Sequence, residues 1–307
     1  MKPAALWKIV FNPYVLLTLV MLAGAGNVVV ARATVGEVPP VALSFWRWVS
    51  AFVILLPIGL RPMLQQRHLL LAQWKIVLPL GAIAVAAFNT LIYVGVQSTE
   101  ALNASLILSV IPVVTVTLSW LFVRERANAR MIAGLVGGFL GVLIIIARGE
   151  FGVLASLQFN GGDLLVFGAV FCWAGYSILL AQLPPGVKPE GLLLAMVAIG
   201  LVLIAPFYAW EMARGAHMTV TLPNVIGILY LGAFSSVFSY VMWNRGVTMV
   251  GANVASQFTY LNPVFGGSLA ILLLGEALQP FHAGIVLIFL GIYLATTSRR
   301  RTAGEPS

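Results

Sequence analysis

Charge is scarce in this sequence, and reactive side chains are scarcer. Of 307 residues only 8% are charged, one is cysteine and three are histidine. A soluble domain needs several times that charge to cover its surface, so an ordinary water-soluble fold is excluded. The single Cys172 cannot close an intramolecular disulfide and reads as a small core residue. His68, His217 and His282 stand apart near loops, and no group of His, Cys and carboxylates has metal-ligand spacing. No GxxxxGK[ST] loop is present, so ATP does not drive the protein directly, and no cofactor is expected. No carboxylate lies in the middle of an apolar run, which removes the obvious proton relay. The alternating pattern of a membrane β-barrel is missing as well.

Apolar sequence fills the chain instead, at 61% of residues. Runs long enough to cross a bilayer as helices recur at roughly 13–32, 41–60, 74–96, 101–123, 129–148, 163–182, 190–210, 223–245, 252–274 and 281–298. The expected fold is an all-α integral membrane protein of ten transmembrane helices in one membrane domain. Connections are too short for a soluble catalytic domain.

The net charge of +8 is a topology signal rather than a nucleic-acid footprint. With the N-terminus in the cytoplasm, thirteen Lys and Arg residues fall inside, from Lys2 to Arg301, and Arg32, Arg148 and Arg214 fall near the outer ends. Ten spans then place both termini in the cytoplasm. Lys2, Lys8 and the following apolar run also fit a cleaved signal peptide ending at Ala23-Gly24-Ala25. Against that, the first span has a partner later in the chain.

Residues 100–125 are written twice. Under a shift of 151, Ala104 meets Ala255, Ser105 meets Ser256, Pro112 meets Pro263 and Glu125 meets Glu276. Leu80-Gly81-Ala82 returns as Leu231-Gly232-Ala233, and Ala25-Gly26-Asn27 is answered by Ala174-Gly175-Tyr176. The halves are 1–150 and 151–307, five spans each. An odd number of spans makes the second copy enter from the opposite side, so the repeats are inverted and suit alternating access.

The ten spans, the duplication, the arginine early in the second span and the Pro-then-Glu pattern around Pro112–Glu125 and Pro263–Glu276 resemble EamA-type members of the drug/metabolite transporter superfamily. The resemblance covers essentially the whole chain. It implies a bacterial inner-membrane exporter of amino acids and other small metabolites. Within that family the chain is most similar to the YddG-type aromatic amino-acid exporters.

Polar groups inside a bilayer are costly and usually face the bundle interior or a wet cavity. The candidate central-cavity residues are Asn27, Arg47, Asn89, Tyr93, Asn103, Trp173, Tyr176, Tyr240, Trp243, Asn244, Gln257 and Tyr260. Asn89 and Tyr93 are i, i+4 neighbours, and so are Tyr240 and Asn244. The shift of 151 maps one pair on the other with the residue types exchanged. Opposing walls of one cavity is the functional reading, and helix-to-helix hydrogen bonding is the bland one. Asn253, Gln257 and Tyr260 share one helical face. Pro112 and Pro263 free the carbonyls of Leu108 and Thr259, either as ligands beside a cavity or as kinks satisfied by a neighbouring hydroxyl. Arg47 either snorkels to the headgroups or turns inward toward a substrate carboxylate. Trp173, Tyr176 and Trp243 lie within spans. Trp7, Trp46, Trp48, Trp74, Trp120 and Trp210 lie near span ends, where interfacial anchoring is the default. Glu125 and Glu276 close their helices as gating or loop-pinning residues, with Arg124, Arg126 or Arg130 available to Glu125. Gly134, Gly137, Gly138 and Gly141 predict close packing of the fifth span against the tenth.

The expected function is a secondary transporter exporting neutral, aromatic or hydrophobic amino acids and related metabolites by alternating access. Facilitated export is the first expectation and proton antiport the second. The alternatives are another cargo, such as a nucleotide-sugar or a drug, or an integral membrane enzyme acting on lipid-linked substrates. The expected partners are a small-molecule substrate and the lipid bilayer, with no nucleic acid. A monomer is expected, with a homodimer as the alternative.

Overall fold

The computed structural model describes residues 12–147, 149–150, 152, 157–265 and 283–302, all helix and connection, with no strand among them. The helices are α1 (Pro13–Ala33), α2 (Pro40–Gln65), α3 (Trp74–Gly95), α4 (Leu102–Val123), α5 (Ala129–Ile146), α6 (Gly161–Ala181), α7 (Pro189–Ala213), α8 (Leu222–Val250), α9 (from Ala252, described to residue 265) and α10 (Gly284–Thr302). Among the described residues, α2 to α8 are long and apolar enough to cross a membrane, whereas α1 and α10 hold shorter apolar stretches. Glu276, His282, Arg148 and Trp7 lie outside the described residues.

The helix starts follow from local chemistry. Asn128 caps α5 by accepting from the Met131 amide at 2.9 Å. Asn160 and Asp163 form a capping box on α6. Prolines open α2 and α7, where a missing amide hydrogen costs nothing. No side chain of its own segment caps α2. Instead the Glu211 carboxylate, near the end of α7, accepts from the amides of Val41 (3.1 Å) and Ala42 (2.7 Å). This is an N-cap supplied from 170 residues away, and it is reinforced by the helix dipole. Glu211→Ala is expected to lower stability by about 1–2 kcal/mol, read as a lower thermal midpoint in detergent, with Glu211→Gln in between.

Contacts run in opposite directions between the halves. Gly134 and Gly141 of α5 lie against Gly291 and Gly284 of α10, so these helices are antiparallel with backbones in contact. Gly137 faces open space. Gly95 of α3 abuts Gly162 of α6, while Gly175 of α6 meets Ile83 of α3. In α2 and α7, Val41 pairs with Glu211, and Gly191 meets Pro62 and Met63. One end of this bundle, where α2 finishes and α7 starts, carries Arg61, Arg67, Lys75, Lys188 and Arg245. It is called the basic end below.

The burial pattern reverses that of a soluble protein. Phe122, Leu164 and Val202 are more than 70% exposed, whereas Arg47, Asn89, Asn244 and Gln257 are essentially inaccessible. Large apolar side chains facing outward, around an apolar core that also encloses polar groups, suit a hydrocarbon solvent.

Two π-helical stretches interrupt the ladder at matching places, Gly81–Ala87 in α3 and Leu231–Phe238 in α8. Such turns offset the α ladder, change side-chain direction and recur at functional sites. They sit just before Asn89 and Tyr93, and just before Tyr240 and Asn244.

Candidate functional site

Arg47, one of the largest fully buried side chains, organises the centre. Its Nε donates to Ser236 Oγ at 2.6 Å and its Nη2 to the Ser235 carbonyl at 2.8 Å. Its Nη1 is shared among Asn27 Oδ1 (3.1 Å), Asn89 Oδ1 (2.8 Å) and the Tyr93 hydroxyl (2.7 Å). Every one of these acceptors is neutral. Among the described residues the ion pair is Arg245–Glu190, and none of their carboxylates lies within 4.0 Å of Arg47. An ion removed from water costs several kcal/mol after relaxation, and here hydrogen bonds and the face of the Trp48 ring offset it. Arg47 therefore turns inward rather than toward the headgroups.

The π turns supply part of this shell. Ser235 and Ala84 occupy equivalent places under the shift of 151. The Ser235 carbonyl accepts from Arg47, and the Ala84 carbonyl accepts from the Tyr240 hydroxyl at 2.9 Å. In each half, the same loosened backbone oxygen holds a side chain from the other half.

Asn89 and Tyr240, also equivalent, bond directly: Asn89 Nδ2 donates to the Tyr240 hydroxyl at 3.0 Å. Two positions that match under the shift of 151 thus meet in space. Flanking this contact are two further Tyr–Asn bonds. Tyr93 donates to Asn27 Oδ1 at 2.7 Å, and Tyr176 donates to Asn244 Oδ1. Asn27 answers Tyr176, and Tyr93 answers Asn244. One bond is thus written twice with donor and acceptor exchanged.

Aromatic rings line the same region. Trp173 has its centroid 4.6 Å from Phe88, 5.3 Å from Tyr176, 5.6 Å from Tyr240 and 5.0 Å from Trp243. Trp48 is fully buried, meets Tyr240 edge-on at 5.2 Å, and lies 5.1 Å from the Arg47 guanidinium. The interfacial-anchor expectation for Trp48 is therefore wrong: one helical position past Arg47, it turns into the core. Trp46, Trp74, Trp120 and Trp210 are exposed.

The structure does not bring every candidate here. Asn103 donates to the Gln158 carbonyl (2.8 Å) and to Asp163 (3.2 Å), at the start of α6. Gln257 and Tyr260 turn toward α5, with Gln257 Nε2 3.9 Å from Met131 Sδ and the Tyr260 hydroxyl donating to the Leu135 carbonyl at 3.2 Å. Both proline kinks have hydroxyls closing nearby turns: Ser109 donates to the Leu106 carbonyl and Thr259 to that of Ser256. Glu125 is exposed beyond the end of α4 and forms no ion pair with the arginines offered to it. Glu276 lies outside the described residues. Sequence reasoning missed Ser235, Ser236, Ser177 (which accepts from Trp243 Nε1 at 3.3 Å) and Glu211. Short hydroxyls on a membrane helix carry little signal by themselves. Their position next to a repeated Leu-Gly-Ala could have flagged the first two.

The model of the EamA-like transporter family matches this chain twice, over residues 12–147 and 160–297. The chain belongs to that family. The uncharacterized transporter YyaM of Bacillus subtilis is 27% identical over 294 residues, covering 93% of each chain. A transporter of Archaeoglobus fulgidus is 28% identical over 292 residues, with 94% and 98% covered. A probable amino-acid metabolite efflux pump of Salmonella typhimurium is 26% identical over 199 residues, 62% of this chain and 66% of that one. A solved crystal structure superposes with a TM-score of 0.71 over 94% of this chain and 97% of its own, at 17% identity, and so shares the fold. The two EamA-like segments contribute unequally to the centre. Pro40 and Pro189 open α2 and α7, and on that alignment the counterpart of Arg47 is the buried Met196. At this position one EamA-like copy carries a charge and the other an uncharged methionine.

Proposed function

We propose that this EamA-like transporter is a secondary transporter that exports amino acids with apolar or aromatic side chains across the bacterial inner membrane. In this reading residues 1–150 and 151–307 are inverted five-helix repeats, the basic end and both termini face the cytoplasm, and the Arg47 region opens to one side at a time. The antiparallel contacts, the double family match and the excess of Lys and Arg at one end support it.

The observation that carries the proposal is a buried arginine held only by neutral acceptors beside a cluster of aromatic rings. Nη2, with one acceptor for two hydrogens, keeps an N–H available. A substrate carboxylate would bring the missing negative charge, and charge-assisted hydrogen bonds are roughly twice as strong as neutral ones. The rings of Trp48, Trp173 and Trp243 would receive the side chain. The relative described as an amino-acid metabolite efflux pump agrees with that class.

The test is counterflow in proteoliposomes with labelled phenylalanine, tryptophan, leucine and their decarboxylated amines, with and without a pH gradient. The expected result is exchange of the amino acids, at least tenfold weaker exchange of the amines, and little effect of the gradient. Exchange of the amines alone, or of neither set, would overturn the reading. Exchange that follows the gradient would make the transporter a proton antiporter.

A further inference from the structure

A cavity of ≈ 400 Å³ lies at the basic end, between the last turn of α6, the 183–187 loop, the first turns of α7, and Asn244 and Thr248 of α8. Its rim includes the exposed Pro185, Gly186 and Thr248, so it communicates with the surface. Leu180, Val187 and Leu192 make apolar walls. Asn244 is 1% exposed; its Oδ1 accepts from Tyr176, while its Nδ2 is buried with no hydrogen-bond partner. A buried amide donor without an acceptor is costly and calls for an explanation. Of the charges nearby, Glu190 pairs with Arg245, and the Lys188 ammonium donates to Gln65 Oε1 at 2.8 Å.

We propose that this cavity is a separate loading site for the transported amino acid, with the Asn244 amide donating to a carboxylate oxygen and the apolar walls holding the side chain. The proposal rests on the transport reading above. A concavity that combines aliphatic walls with polar groups, Asn244 and Thr248 among them, suits a small molecule with both an apolar and a charged part. Asn244 lines the cavity and accepts from Tyr176, whose ring is 5.7 Å from Tyr240, which touches the Arg47 network. At the opposite end the equivalent Tyr93–Asn27 bond also bonds to Arg47. Substrate entering from the basic end therefore meets a neutral, weakly holding amide before the charged centre. That order favours inward passage to Arg47 and prevents tight retention at the entrance.

The experiment uses Thr248→Cys in a Cys172→Ser background, reconstituted and treated with a charged methanethiosulfonate reagent from the basic-end side. L-Phenylalanine and L-leucine are the probes. A bound amino acid should slow modification about tenfold at ten times its Kd, the occupancy expected for one site. Asn244→Leu and the near-isosteric Asn244→Asp should both remove this protection while the cysteine still reacts. Arg47→Met should lose flux yet keep protection, which separates this site from the central one. Transport without protection, or protection that persists in both Asn244 variants, overturns the loading site and leaves the transport reading standing. Neither transport nor protection overturns both.

Discussion

Arg47→Met is expected to reduce amino-acid flux in proteoliposomes by at least about a hundredfold while the protein still folds. The flux loss follows from removing the buried positive charge of the centre, where a desolvated carboxylate would lose about 3 kcal/mol of charge-assisted hydrogen bonding. Folding should survive because replacing a buried ion by an apolar side chain of similar volume is often neutral or stabilising. Met196 shows that methionine packs at the equivalent place in the other repeat. Opposing this, Asn89 Oδ1 and the Ser235 carbonyl lose a donor, so the thermal midpoint should shift by only a few degrees in either direction. Arg47→Lys keeps the charge but not the five-donor fork, and should retain intermediate flux. Wild-type flux in Arg47→Met would remove the central claim about substrate recognition. A collapse of the thermal midpoint in both variants would make Arg47 a structural residue.

Gly134→Ala is expected to be strongly damaging for a single added methyl. A β-carbon there would lie 2.5 Å from the Gly291 carbonyl oxygen and 3.2 Å from the Ala295 amide, both backbone atoms. No rotamer change relieves such a clash, so α5 and α10 must separate along their length, and overpacking of this kind costs about 1–3 kcal/mol. Gly141→Ala meets the Gly284 carbonyl at 2.6 Å and should behave alike. Gly137→Ala is the control. With nothing within 4 Å of the added carbon, it should be neutral or stabilising by up to about 1 kcal/mol through helix propensity. Thermal unfolding in detergent reads all three. Equal midpoints for Gly134→Ala and Gly137→Ala would mean that backbone contact does not hold this pair together.

Much of the site was legible because duplication leaves an internal comparison. Asn89 with Tyr93 and Tyr240 with Asn244 stand at i, i+4 on matched helices, and the structure joins Asn89 to Tyr240 directly. The match of Asn27 with Tyr176 is visible too, but not that each bonds a polar residue of its own half, Asn27 with Tyr93 and Tyr176 with Asn244. Where the reading strayed, helical periodicity was the weak link. Gln257 and Tyr260 were assigned to a shared face, and they do share one, but it turns to α5. Trp48 lies near a span end yet is fully buried, because rotation about the helix axis decides whether a residue meets lipid or core. Glu211 was unreadable, since its role depends on two helix ends meeting 170 residues apart.

By itself, the sequence determined the solvent, the helical class and the two-fold duplication, because span length, the scarcity of charge and residue-by-residue repetition are properties of the chain alone. The tertiary structure decided which polar residues meet. Helix rotation and crossing set that choice, and so do the π turns that turn Ser235 and Ala84 toward the other half. A buried charge without a counter-ion is a fact about neighbours in space, and no linear pattern around Arg47 encodes it.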